Sequence, residues 1–95
     1  MQKYYLANHC GIKLIAPSKV IIAQIKEAID ILVKKHPVAF KLIKTINGIV
    51  VPNSRKTYDN MLFVKERIYV CDAGMIIESS AYYFSTLLAH EARHI

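Results

Sequence analysis

Three residues near the end of the chain have types and spacing suited to chemistry: His90-Glu91-Ala92-Arg93-His94 is an HExxH string. On an α-helix, residues four apart lie one turn above each other, so His90 and His94 project from one face and can share a metal ion. Glu91 points to one side of that pair, where its carboxylate can reach a metal-bound water without ligating the metal. With Zn²⁺ in place, the metal lowers the pKa of its water and polarises a carbonyl. Glu91, as general base, takes the water proton and passes it to a leaving amine. The expected reaction is peptide-bond hydrolysis, with His90 and His94 as zinc ligands and Glu91 as the catalytic residue. The plainer alternative is that histidines at helical spacing beside a glutamate are ordinary polar side chains.

The elements that must position these residues are legible in part. Pro17-Ser18 is a helix start, and Ile22, Ile25, Ile29, Leu32 and Val33 recur at helical spacing, which predicts an amphipathic helix over about 18–35. His36-Pro37 ends it, because the residue before a proline is pushed out of the helical region. Residues 38–46 fit a helical turn leading into a strand, although Asn47-Gly48 is also a hairpin signal. Ile49-Val50-Val51 is β-rich, and Asn53 to Tyr58 is polar and basic, a loop. Met61 to Val64 and Arg67 to Cys71 read as two strands with a turn at Lys65-Glu66, after which Asp72-Ala73-Gly74 breaks the pattern. Ser79 or Ser80 caps a last helix, whose buried stripe includes Phe84, Leu88 and Ile95. Residues 1–16 are open between a short strand pair around Asn8 to Gly11 and an irregular lead-in.

The order of a helix, a small sheet and a final HExxH helix resembles the N-terminal half of a minimal domain of the zincin-like metallopeptidases. The resemblance implies an α+β fold of two main helices with a small, mostly antiparallel sheet and the HExxH helix at the C-terminus. It covers about the last two-thirds of the chain, and residues 1–95 would form one such domain. It also implies a Zn²⁺ cofactor and a peptide or protein substrate. The alternative function is a catalytically silent zincin-like module acting through protein–protein contacts.

Catalytic zinc takes a third protein ligand, which zincins supply after the HExxH helix, whereas here Ile95 follows His94 directly. The expectation is therefore a truncated domain, completed by a homo-oligomeric copy or a C-terminal segment. Substitute ligands within the chain would come from His9, Cys10, His36, Cys71, Asp72 or Glu78. His9-Cys10 is the most attractive chemically. Nothing in the sequence brings it to the last helix, and an ordinary loop histidine beside a buried or free thiol accounts for it better.

Composition narrows the setting. A hydrophobic share of 54% and a mean hydropathy of +0.25 argue for a folded core and against disorder. The net charge of +6 is scattered from Lys3 to Arg93, which disfavours a nucleic-acid partner. Two cysteines with no secretory leader point to free thiols and a cytoplasmic location, and no apolar run approaches the roughly 20 residues of a membrane span.

Overall fold

The computed structural model describes residues 3–52 and 61–95, with the side chain of Met75 excluded. The loop expected over Asn53 to Tyr58 lies outside the described residues. The described elements are β1 (Tyr5–His9), β2 (Ile12–Ala16), α1 (Lys19–Lys35), α2 (Pro37–Ile43), β3 (Gly48–Val50), β4 (Met61–Phe63), β5 (Ile68–Val70), α3 (Ala73–Glu78) and α4 (Ala81–Glu91). A single 3₁₀ turn, Ala92–His94, follows α4.

The strands form one sheet in the order β1-β2-β3-β5-β4. The outer pairs, β1/β2 and β4/β5, are antiparallel, while β2/β3 and β3/β5 are parallel. The expectation of two helices over a mostly antiparallel sheet is thus corrected: among the described residues there are four α-helices, and the centre of the sheet is parallel. The physical reason is the connection. Parallel neighbours need a long crossover, and α1 with α2 supplies one between β2 and β3. Periodicity in the sequence marks strands but not their direction.

Burial alternates as the pleat requires. Ile12, Leu14, Ala16, Ile49 and Tyr69 share one face by register and are fully buried beneath the helices. On the other face Leu6, Ile15, Val50, Val70 and Met61 form a continuous apolar row across all five strands, half-buried to exposed. Gly48 eases the close approach where β3 meets β2, because a Cβ there would stand 3.1 Å from the Lys13 carbonyl oxygen, a tight contact.

Helix α1 begins as its sequence demands: the Ser18 hydroxyl accepts from the Ile21 N–H at 3.2 Å. It buries Ile21, Ile22, Ile25, Ala28, Ile29 and Leu32 and packs most extensively on α4. Each of these isoleucine and leucine side chains contributes about 1.5–3 kcal/mol on burial. His36 ends α1, and Pro37 opens α2 at a position where its missing N–H costs nothing. Ser80 caps α4 by accepting from the Tyr83 N–H at 3.1 Å. Below α4, the Phe84 ring meets the Tyr69 ring edge-on, 6.3 Å between centroids. Helix α3 occupies the stretch where Asp72-Ala73-Gly74 signals a break. Its six residues are too few for a periodic pattern to show.

Candidate metal site

The two-residue turn between β1 and β2 consists of Cys10 and Gly11, with φ of +52° and +84°. Positive φ at both positions is the signature of a type I′ hairpin turn, whose twist matches that of the flanking strands. Glycine adopts this conformation freely. Cysteine does so at a cost of about 1 kcal/mol or more, since its Cβ crowds the following carbonyl. A cysteine stands here where asparagine or glycine is the usual choice, which is a reason to ask what its thiol does.

By register His9 pairs with Ile12, so its imidazole lies on the helix-covered face and reaches α1. There His9 Nε2 and Asp30 Oδ1 are 2.6 Å apart. Asp30 sits on the solvent-facing edge of α1, flanked by the buried Ile29 and the half-buried Ile31. Its side chain is 64% exposed and that of His9 25%. As an ion pair alone, this contact at a wet surface is worth at most about 1 kcal/mol. Cys10 completes the group: one ligand atom from each of His9, Cys10 and Asp30 lies within 4.8 Å of the others. Among the described residues this is the group of three His, Cys, Asp or Glu side chains able to hold a metal ion. The cluster is open to solvent, with His9 half-buried and the other two residues exposed.

The HExxH residues are placed differently. His90 closes the last turn of α4, but α4 ends at Glu91 and His94 belongs to the 3₁₀ turn, so the string is not one continuous α-helix. The two imidazoles are exposed and stand edge to face, 5.9 Å between centroids. No third ligand joins them among the described residues. Glu91 is half-buried, and its charge acts on Tyr69 and Cys71 on the sheet side of the helix.

Of the substitutes, His9 and Cys10 are brought together, and Asp30, absent from that set, is brought to them. His36 is the cap between α1 and α2, and Glu78 ends α3, away from the cluster. Cys71 is fully buried at the end of β5. Burial, then the charges of Asp72 and Glu91, push its thiol well above its ordinary range. An inert, protonated core cysteine results. Tyr69 is raised in the same direction, by burial first, and its hydroxyl is buried with no hydrogen-bond partner among the described residues.

Compared with models of known protein families, with characterised proteins and with solved structures, the chain matches nothing in any of the three. The expectation of a zincin-like metallopeptidase, and with it the silent zincin-like module, is therefore corrected. No family match supports either reading, and the ligand-bearing cluster uses His, Cys and Asp near the N-terminus instead of a His-Glu-His arrangement in a C-terminal helix. What does stand is a compact cluster capable of coordinating a metal ion. No helix among the described residues is long and apolar enough to cross a membrane.

Proposed function

We propose that this chain is a metal-binding domain that takes Zn²⁺ between the tip of the β1/β2 hairpin and the middle of α1, through His9, Cys10 and Asp30. The observation that carries the reading is the convergence of three chemically different ligand atoms within 4.8 Å, with Cys10 and Asp30 20 positions apart in the chain. The donor set selects the metal: thiolate and imidazole favour Zn²⁺ over Ca²⁺ or Mg²⁺, which take oxygen.

The spacing fits a tetrahedral ion. Bonds of about 2.0–2.3 Å place neighbouring ligand atoms roughly 3.3–3.6 Å apart. Uptake then means parting His9 from Asp30 by somewhat under an ångström and drawing in Cys10, all within reach of exposed side chains. Bound there, the ion would supply a cross-link between hairpin and helix, with a fourth position facing solvent for an external ligand. Until it binds, Asp30 holds the imidazole at the mouth of the site. A cytoplasmic, reducing setting belongs to the proposal, because it keeps Cys10 as a free thiol.

Cobalt substitution tests the reading. Co²⁺ titration of the wild type should give the intense near-ultraviolet band of a thiolate-bound cobalt ion together with tetrahedral d–d bands, displaced by stoichiometric Zn²⁺. Both features should vanish in Cys10→Ser. A wild-type titration without the thiolate band would sink the proposal.

A further inference from the structure

Where the end of α1, helix α2 and the end of α4 meet, the surface opens into a groove of about 670 Å³. That volume lies within the range of sites for organic ligands, roughly 300–1,000 Å³. Four ionisable side chains line it, Lys35, His36, His90 and Arg93, and among the described residues no carboxylate does. Its apolar wall includes Val38 and Leu42, one helical turn apart on α2 and respectively 73% and 38% exposed.

Basic residues near helix C-termini have an ordinary explanation in the helix dipole, so the charge must be weighed. Each C-terminus carries about half a negative elementary charge, which makes roughly −1 for α1 and α4 together. Lys35 and Arg93 alone bring two full positive charges, and Lys34, also in the last turn of α1 but outside the groove lining, adds a third near that helix end. A positive surplus remains, set beside an exposed apolar wall. Charge of one sign over a low-dielectric surface concentrates ligands of the opposite sign.

We propose that this groove binds a small organic anion, with an apolar body against Val38 and Leu42 and a carboxylate or phosphate head held by Lys35 and Arg93. The site shares no residue with the His9, Cys10 and Asp30 cluster, so the two stand or fall separately. Decanoate and decyl phosphate, below their micellar concentrations, serve as probes, with decanol as the uncharged control. Binding is followed by calorimetry and by amide shifts in two-dimensional NMR.

At least one of the two anions should bind saturably, with shifts centred on α2 and the end of α4, and tighter than decanol by tenfold or more. Whichever anion binds tighter identifies the head group. The double variant Lys35→Gln/Arg93→Gln, which alters exposed side chains only, should lose at least tenfold in affinity while remaining folded, its Tm lowered only by the small helix-dipole contribution of the two charges. Leu42→Ala should weaken both anions without removing the preference over decanol. The proposal is overturned if neither anion binds, if decanol binds as tightly, if the double variant binds within twofold of the wild type, or if the shifts map to the open sheet face.

Discussion

Two regions of the chain each offer histidine beside a carboxylate, one histidine at the hairpin and two at the end of α4, and they differ in how those groups are brought together. At the C-terminus, His90 and His94 meet by local geometry alone: four residues of nearly helical backbone set the rings 5.9 Å apart. Near the N-terminus, a hairpin turn presents His9 and Cys10 side by side, and the packing of α1 on β1 and β2 delivers Asp30 from 20 residues further on. Local spacing yields a pair easily and stops there, because a third ligand must come from elsewhere in the fold. Tertiary packing supplied it at the hairpin. The three-residue cluster is thus a property of the sheet–helix junction here, whereas the motif with the stronger signature in the sequence brings two imidazoles together without a third ligand among the described residues.

The largest expected effect separates the two ends directly. At free Zn²⁺ one hundredfold above its Kd, binding adds about 2.7 kcal/mol to stability. For a domain of this size that raises Tm by about 10–20 °C. The rise should disappear in His9→Ala and in Cys10→Ser, and persist in the double variant His90→Ala/His94→Ala. Differential scanning fluorimetry with and without zinc decides it. Persistence in Cys10→Ser with loss in the double variant would reverse the comparison.

Next in size is a change at the other end. The Tyr69 hydroxyl is buried without a partner among the described residues, and such a group costs about 1–3 kcal/mol against an apolar replacement. Tyr69→Phe keeps the edge-on contact with Phe84 and removes the orphaned oxygen, so its Tm should rise and its urea midpoint move up with unchanged slope. A fall in stability would mean that the hydroxyl has a partner, and that the sheet side of α4, where Glu91 lies, is a polar site after all.

The same region sets a pH dependence. Burial raises the Cys71 thiol and the Tyr69 phenol, and both groups are neutral when protonated, so folding favours the protonated forms. The stability they contribute is complete below their unfolded pKa values, about 8.5 for a cysteine and about 10 for a tyrosine. It drains away as pH rises past those values, since the unfolded chain releases protons that the folded chain retains, at up to about 1.4 kcal/mol per pH unit for each group. Denaturant unfolding between pH 7 and 10 should show the decline, and Cys71→Ala should flatten its first part. A wild-type profile level to pH 10 would contradict the burial of Cys71, the group whose unfolded value lies inside that window.

How much of this was legible in the sequence depended on range. The 17-residue span of α1, its Ser18 cap and its end at His36-Pro37 follow from periodicity and proline sterics, and the β4/β5 hairpin follows from its apolar runs around Lys65-Glu66. Strand direction was not legible, because the alternation of Ile12, Leu14 and Ala16 is the same in a parallel or an antiparallel partner. Helix α3 was hidden by its shortness. At the site, His9-Cys10 was visible as a chemically apt pair and Gly11 as a turn residue, yet Asp30 read as one more polar residue on the outer face of α1. Only the packing angle of the hairpin on that helix gives it a role. The one signal within the sequence was the cysteine before Gly11 where an asparagine would ease the turn.

That cysteine gives the smallest expected effect, and it bears on the comparison most specifically. At φ of +52° Cys10 strains the turn, whereas asparagine tolerates the left-handed region by hydrogen-bonding locally. Cys10→Asn makes the turn dipeptide Asn-Gly and should therefore stabilise the metal-free protein, by about 0.5–1 kcal/mol, while abolishing the zinc-dependent rise in Tm. The two signs must appear together. A strained residue kept for function improves the fold when replaced and loses the ligand, whereas a cysteine that merely occupies the turn would improve the fold and leave zinc binding as it was. Urea unfolding of the variant, with chelator and then with excess zinc, separates these outcomes. No corresponding substitution exists at His90 or His94, whose backbone is ordinary helix and 3₁₀ turn, so strain at a candidate ligand distinguishes the hairpin from the C-terminal end independently of any metal.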